Sequence, residues 1–161
     1  MKDALIKISK DRKENYKLLK RTIPTFITAR DPWYTSLSNI SALLAVYMDD
    51  INWVGFYLND GEKLCLGPFQ GKPACTEIPF TKGVCGEAAR DKKVMVVDDV
   101  LKRDDHIACD ADSRSELVVP LVKHGKLLGV LDIDSPSFNR FGDDEVTIAK
   151  EVARVIVDNW R

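Results

Sequence analysis

The sequence predicts an α+β protein in which helices at both ends of the chain pack against an antiparallel sheet. Three observations indicate this class. Amphipathic helical patterns lie at residues 3–20 and 142–160. Strand patterns with alternating apolar residues fill much of the segment between them. Turn residues join these strands as hairpins, and at 161 residues we expect one domain over positions 1–161.

The predicted helices have recognisable starts. Asp31 can cap the second helix, with Pro32 at its first position. Its apolar residues recur every three to four positions, at Leu37, Ile40, Leu44 and Tyr47. Asp143 is the predicted cap of the C-terminal helix. That helix carries one apolar stripe, formed by Val146, Ala149, Ala153, Ile156 and Trp160. A shorter helix is predicted at 83–92.

Two hairpins account for most of the predicted sheet. In the first, one strand face carries Val54, Phe56 and Leu58, and the other carries Trp53, Gly55 and Tyr57. A turn at 59–61 leads to its partner strand at 63–69. The second hairpin joins 116–122 to 126–134, and 94–99 is predicted as a short strand.

The turn of the second hairpin decides which sheet face Glu116 occupies. A two-residue turn at His124-Gly125 would set Glu116 opposite Ile133, facing away from Asp132. A three-residue loop at 123–125 would set Glu116 opposite Asp132. Only the shorter turn forces His124 to a positive φ, so we predict the longer loop.

Composition and charge argue against several classes of partner. The formal net charge is −1, which gives no reason to expect nucleic acid or an anionic membrane surface. Residues 1–16 lack the apolar core of a secretory signal, and no apolar run reaches membrane-spanning length. We therefore expect a cytoplasmic protein, whose cysteines are more often redox-active or metal-binding than joined in stable disulfides.

Three cysteines lie where loops and element ends are predicted, at Cys75, Cys85 and Cys109. Such places suit reactive thiols, which need solvent access and polar neighbours. Cys65 lies inside a strand pattern and is predicted to be core. Cys109 is the best candidate nucleophile, although the aspartates around it would raise its pKa unless they point away. The alternative is an incidental loop cysteine.

Cys85 and Cys75 have different predicted surroundings. Cys85 lies at the start of the short helix, where backbone N–H groups and the helix dipole favour a thiolate. The alternative for Cys85 is a small residue that lets this helix approach the sheet. Cys75 follows Pro73-Ala74 and suits a resolving thiol. A metal site at His106 and Cys109 is disfavoured, because no paired ligands accompany them.

Three acids and two aromatic residues form a second group of candidates. Asp132 and Asp134 share one strand face, and successive carboxylates there are costly unless a ligand, a cation or a proton compensates them. A strand emerging into solvent is the alternative, and Glu116 weighs against it. Trp53 and Tyr57 flank Gly55, which would leave a slot with apolar walls for a small, sulfur-bearing ligand. Ordinary core packing is the alternative for these aromatic residues.

Five segments together resemble the free methionine-(R)-sulfoxide reductases, a family built on the GAF fold: NWVGFYL, LGPFQGKPAC, KGVCGEAA, DDHIACDADSRSELVVPL and GVLDIDSPSFNRF. The resemblance runs from about residue 30 to the C-terminus. It implies active-site cysteines at Cys75, Cys85 and Cys109. It implies binding carboxylates at Glu116, Asp132 and Asp134, and pocket aromatics at Trp53 and Tyr57.

The activity that this resemblance implies is thiol-dependent reduction of free methionine (R)-sulfoxide through a sulfenic acid and an intramolecular disulfide. Thioredoxin would reopen the disulfide, and neither an organic cofactor nor a metal is required. The family assigns the attacking thiol to the position of Cys109 or of Cys85. The resemblance also allows a homodimer through the terminal helices, and the sequence does not decide the oligomeric state. Two alternatives are a GAF module that senses a small molecule without turnover and a thiol sensor of peroxide.

Overall fold

The computed structural model describes residues 6–28, 30–105 and 110–160. Its helices are α1 (Arg12–Thr22), α2 (Trp33–Tyr47), α3 (Gly83–Asp91) and α4 (Asp143–Asn159). Its strands are β1 (Trp53–Asn59), β2 (Lys63–Gly71), β3 (Glu77–Pro79), β4 (Met95–Val97), β5 (Ser115–Lys123) and β6 (Lys126–Ser135). Short 3₁₀ turns cover Ile23–Phe26 and Val100–Lys102. None of the helices in these ranges is both long and apolar enough to cross a membrane.

One six-stranded sheet, in the order β3-β2-β1-β6-β5-β4, forms the centre of the fold. Each pair of neighbouring strands is antiparallel. The two predicted hairpins, β1–β2 and β5–β6, therefore lie side by side, with β1 and β6 joined at the middle of the sheet. The predicted α+β class, an antiparallel sheet with terminal helices packed against it, is confirmed.

The two faces of the sheet are covered differently. Val54 and Phe56 of β1 point into the main core, which α1, α2 and α4 close from one side. Trp53 and Tyr57 point the other way, into a smaller core covered by α3. This alternation follows from the two-residue period of a strand and agrees with the sequence prediction. Cys85 lies in this smaller core and Cys75 packs against it.

Helix α2 packs as its sequence predicts but begins differently. Leu37, Ile40, Leu44 and Tyr47 are all buried, so truncating one of the aliphatic side chains to alanine should cost about 2–5 kcal/mol. Pro32 occupies the N-cap position without a side-chain cap, so the predicted Asp31 cap is wrong. The carboxylate of Asp31 instead accepts a hydrogen bond from the Thr28 hydroxyl at 2.7 Å.

The starts of α4 and α1 also differ from prediction. Helix α4 has Gly142 at its N-cap, and Glu145 reaches back to accept the Gly142 N–H at 2.9 Å. Asp143 is already helical, so it is not the cap. Helix α1 begins only at Arg12, because Asp11 accepts the N–H of Lys13 and caps it there. Strand β3 was not predicted.

The β5–β6 hairpin corrects the predicted loop. Lys123 pairs with Lys126, so the turn has two residues, and His124 takes a positive φ of 49°. Leu121 pairs with Gly129 while Val122 pairs with Leu127, which leaves Leu128 as an extra, bulged residue. Without this bulge the turn would send Glu116 to the wrong face.

Candidate active site

The bulge brings three carboxylates to one face of the sheet. Glu116 lies opposite Asp134 and Val118 lies opposite Asp132 in the β5–β6 register. Opposite residues share a face, as do residues two apart, so Glu116, Asp132 and Asp134 converge. We call these three residues the acid cluster. Glu116 and Asp132 are each only 6 % exposed.

Cys85 joins the acid cluster from helix α3. A Cβ at Gly86 would lie 2.5 Å from the carbonyl oxygen of Pro79, so this glycine allows α3 to pack close to the chain just after β3. The Cys85 thiol is buried and donates to Oε1 of Glu116 at 3.8 Å. Ligand atoms of Cys85, Glu116 and Asp132 all lie within 4.8 Å of one another.

Trp53 and Tyr57 of strand β1 lie beside the acid cluster, and we call these two residues the aromatic wall. Trp53 lies opposite Asp134 and Gly55 lies opposite Asp132 in the β1–β6 register. The rings of Trp53 and Tyr57 stack with centroids 5.8 Å apart. The predicted slot at Gly55 is wrong, because Phe69 of β2 packs against it and stacks on Trp53 at 5.3 Å.

Burial dominates the electrostatics of the acid cluster. Loss of solvent raises the pKa of Glu116 well above its ordinary value, and the charges of Asp132 and Asp134 raise it further. Burial likewise raises the pKa of Asp132 to about 7. The pKa of Asp134 is raised by burial and by the charges of Asp132 and Asp110. The cluster therefore retains protons near neutral pH and can both bind a cation and donate a proton.

The same surroundings act against the thiolate predicted for Cys85. Burial raises the pKa of its thiol well above the ordinary value, and the charges of Asp132 and Glu116 add to this. The helix terminus does not offset these effects. The alternative interpretation, in which Cys85 is a small residue that lets the helix approach the sheet, describes its surroundings better, since α3 lies close against the sheet here.

The remaining cysteines differ in exposure and setting. Cys75 is partly buried on the loop after β2, and its carbonyl oxygen accepts the Tyr57 hydroxyl at 3.0 Å. Cys109 and His106 lie outside the described residues, so their predicted positions stay predictions. Cys65 is not core: it is partly exposed, and its thiol lies 3.3 Å from the carboxylate of Asp60.

The acid cluster and Cys85 also offer ligand atoms for a metal ion. Among the residues that the structure describes, Cys85, Glu116 and Asp132 are close enough to hold one. Binding would require removing a proton from a buried thiol whose pKa is already raised. An ammonium group needs no thiolate, so the donor set favours a cationic organic ligand over a metal.

Comparisons with known proteins agree with this arrangement. The family model of the GAF domain matches residues 35–157. The free methionine-R-sulfoxide reductase of Escherichia coli is 47% identical over 135 residues, covering 84% of this chain and 82% of its own. The Saccharomyces cerevisiae protein of the same name is 45% identical over 135 residues, covering 77% and 73%. This chain belongs to the free methionine-R-sulfoxide reductases of the GAF-domain family.

Solved structures of free methionine-R-sulfoxide reductases share its fold. The reduced form of the Staphylococcus aureus protein superposes with a TM-score of 0.87 at 47% identity, covering 91% of this chain and 96% of that one. The Neisseria meningitidis protein, solved in complex with its substrate, gives a TM-score of 0.89 at 38% identity, covering 94% and 92%.

Three residues in or beside the candidate site were missed by sequence reasoning. Phe69 lies opposite Gly55, and a glycine facing an aromatic residue across a hairpin is a signal that could have indicated this contact. Lys72 forms ion pairs with Asp110 across two loops, which no local pattern reveals. Asp110 was considered only as a charge near Cys109.

Proposed function

We propose that this chain is an oxidoreductase that reduces free L-methionine (R)-S-oxide to L-methionine. Two cysteine thiols become a disulfide, and the sulfoxide oxygen leaves as water. The acid cluster beside the aromatic wall is the observation that carries the proposal. Oδ1 of Asp132 is buried and has no hydrogen-bond partner among the described residues, which suits an atom that awaits a ligand.

The acid cluster and the aromatic wall divide the binding of substrate. Within the acid cluster of Glu116, Asp132 and Asp134, ionised carboxylates bind the substrate ammonium, whose positive charge offsets the cost of ionising them in a buried site, while one carboxyl keeps its proton. Trp53 and Tyr57 contact the methyl group and the sulfur, which pack favourably on aromatic rings. A side chain inside a peptide lacks the free ammonium, so the site selects the free amino acid.

Proton donation and thiol attack follow from the same residues. A sulfoxide oxygen leaves poorly until it is protonated, and an acid-cluster carboxyl with raised pKa supplies that proton. The Cys109 thiol attacks the sulfur, methionine leaves, and Cys109 keeps the oxygen as a sulfenic acid. The raised pKa of Cys85 disfavours it as the attacking thiol.

A second thiol completes the cycle. Cys75, or alternatively Cys85, condenses with the sulfenic acid, forming an S–S bond and releasing water. Thioredoxin or another dithiol then reopens the disulfide by exchange. Protons and thiols account for the whole reaction, so we expect no organic cofactor and no metal.

The decisive experiment measures methionine formed from separated sulfoxide epimers with dithiothreitol or thioredoxin as reductant. We expect turnover of the free (R)-epimer only and no turnover in Cys109→Ser. Cys75→Ser should complete one turnover and then stall when no small thiol such as dithiothreitol is present. A first turnover that survives in Cys109→Ser but not in Cys85→Ser would reverse the roles. Oxidation by peroxide with no methionine formed from either epimer would identify a thiol sensor instead.

Substrate selectivity gives a second test. The N-acetylated, amidated substrate cannot present an ammonium to the acid cluster, so its kcat/KM should fall by about ten-thousandfold, the scale on which a site rejects a ligand that leaves buried polar groups unpaired. Glu116→Gln is the informative variant, because it should lower kcat/KM for the free amino acid. The difference in kcat/KM between the free and the N-acetylated, amidated substrate should therefore become smaller. Comparable kcat/KM values for both substrates in the wild type would contradict the proposed binding mode.

A further inference from the structure

Lys72 connects two loops that border the candidate active site. It follows β2, three residues before Cys75. Its ammonium lies 3.4 Å from Oδ1 of Asp110 and also contacts the carboxylate of Asp112. These two acids come just after Cys109 in sequence, so one cation bridges the loop that carries Cys75 and the segment that follows Cys109.

Asp110, which accepts the Lys72 ammonium, is itself fixed by burial and by a further hydrogen bond. Asp110 is only 8 % exposed, and its other carboxylate oxygen accepts the side-chain amide of Asn52 at 3.0 Å. Asn52 immediately precedes β1, and its backbone N–H donates to the carbonyl of Asp134. Asp110 is therefore a fixed anchor at the end of the sheet where the acid cluster lies.

The loop that carries Cys75 is pinned to the aromatic wall at two further points. The indole N–H of Trp53 donates to the carbonyl of Lys72 at 3.2 Å. The Tyr57 hydroxyl donates to the carbonyl of Cys75 at 3.0 Å. These two hydrogen bonds fix the distance between the backbone of this loop and the aromatic wall. The ion pair of the Lys72 side chain with Asp110 connects the loop to the other side of the site.

Stability alone does not account for the Lys72 bridge. Its side chain is 63% exposed, and exposed ion pairs contribute little to folding. Losing it should therefore leave the fold intact while releasing one loop from the other. Small displacements of reacting groups can nevertheless change rates by orders of magnitude.

We propose that Lys72 is a positioning residue for Cys75, holding its loop in place so that the Cys75 thiol meets the sulfenic acid promptly. The inference rests on the proposed function, in which Cys75 resolves the sulfenic acid. The step it governs joins the Cys75 sulfur to the sulfenic sulfur and breaks the S–OH bond, with water as the leaving group. Lys72 takes no part in the first step, so methionine formation should not depend on it.

The test separates these two steps in Lys72→Met. Reduced enzyme receives methionine (R)-sulfoxide without reductant, and samples are quenched over time to measure methionine, disulfide and sulfenic acid captured by dimedone. We expect methionine to form within about twofold of the wild-type rate, while disulfide formation slows about tenfold and dimedone capture rises. Lys72→Arg should restore rapid disulfide formation, because it keeps the charge.

Matched controls make the outcome specific. Lys63→Met removes another exposed ion pair of β2, with Glu77 at 2.8 Å, and should change neither step. The thermal unfolding midpoint of Lys72→Met should stay within about 4 °C of wild type. Wild-type disulfide rates in Lys72→Met, or equal slowing of methionine and disulfide formation, would overturn the positioning role.

A second oxidant distinguishes this inference from the function on which it rests. Hydrogen peroxide converts a reactive thiol to a sulfenic acid without using the substrate site. If wild type forms no methionine from the sulfoxide, the proposed function fails, and the same disulfide comparison is made after peroxide. Slower disulfide formation in Lys72→Met would then still support the Lys72 bridge, and equal rates would overturn it.

Discussion

Two groups of acids lie on opposite faces of the sheet, and only one of them is paired with cations. On the three-helix side, Arg140 contacts Glu145 at 2.9 Å and Asp49 at 3.0 Å. The Tyr16 hydroxyl also donates to Glu145 at 2.6 Å. We call this group, completed by Arg12 on Asp49, the arginine cluster. None of the ion pairs between described residues involves the acid cluster on the other face.

The pKa directions record this difference. Burial would raise the pKa of Glu145, but hydrogen bonds from Tyr16 and Gly142 and the charge of Arg140 lower it instead. In the acid cluster burial prevails, and the pKa of Glu116 rises. A buried acid that a protein pairs internally has its charge compensated in the folded state, whereas one left without a cation is available to a ligand.

The largest effect should come from breaking the arginine cluster. Arg140→Met would leave buried Glu145 with only the more distant Arg12, at 3.9 Å, and breaking a buried pair typically costs about 3–5 kcal/mol. Chemical denaturation should therefore show a much lower free energy of unfolding. Glu116→Gln is the matched control on the other face and should leave stability unchanged or higher. Equal losses in both variants would mean that the two clusters do not differ in the way described.

The next effect concerns activity and not stability. Asp132→Asn removes a proton donor and an ammonium ligand from the acid cluster while keeping the size of the side chain. We expect kcat/KM for methionine (R)-sulfoxide to fall about a hundredfold, or about 2.7 kcal/mol of transition-state stabilisation. Unfolding in denaturant should be no easier than in wild type. Near-normal kcat/KM would remove Asp132 from the proposed mechanism.

The two clusters should also give opposite pH signatures in stability. The folded pKa of Asp132, about 7, exceeds its ordinary value of 3.8, so the folded state binds the extra proton between these values. Unfolding free energy therefore falls as pH rises through this window, by at most about 1.4 kcal/mol per pH unit for one proton. Glu145 has a lowered pKa, so its contribution is lost as pH falls.

Denaturant titrations at several pH values check this contrast. Asp132→Asn should flatten the decline in unfolding free energy between pH 4 and pH 7. Glu116 and Asp134, whose pKa values are also raised, contribute to the same decline, so part of it should remain. Glu145→Gln should flatten the loss on the acid side only. A decline that Asp132→Asn leaves unchanged would assign the extra proton to another member of the cluster.

The sequence predicted the acid cluster better than the route by which the chain forms it. Period-two alternation correctly put Asp132 and Asp134 on one face, and the register confirms that Glu116 shares that face. The predicted pairing of Glu116 with Asp132 is wrong, because Glu116 lies opposite Asp134. The predicted loop was wrong, because the chain accepts a positive φ at His124 and compensates with a bulge at Leu128. Gly129, inside the strand pattern, was the available signal.

Long-range contacts were beyond local patterns for the same physical reason. Helix and strand periodicities report which face of an element is buried, so the element types and most of the core could be predicted. Pairing between loops, such as Lys72 with Asp110, depends on tertiary positions that no periodicity encodes. The arginine cluster was missed likewise, since Tyr16 and Glu145 are 129 residues apart in sequence.

The smallest predicted effect concerns the two-residue turn of the β5–β6 hairpin. His124 has a φ of 49° and is followed by Gly125 at 78°, the arrangement of a type I′ turn, in which Asn-Gly is preferred. His124→Asn should therefore raise the free energy of unfolding by about 0.5 kcal/mol, the scale of a surface change that alters only backbone preference. His124→Val should lower the free energy of unfolding, because valine tolerates a positive φ poorly.

Both variants should keep wild-type kcat/KM, because the bulge at Leu128 fixes Glu116 opposite Asp134 independently of the side chain at the turn. A loss of activity in His124→Asn would show that the turn and the bulge set the register together.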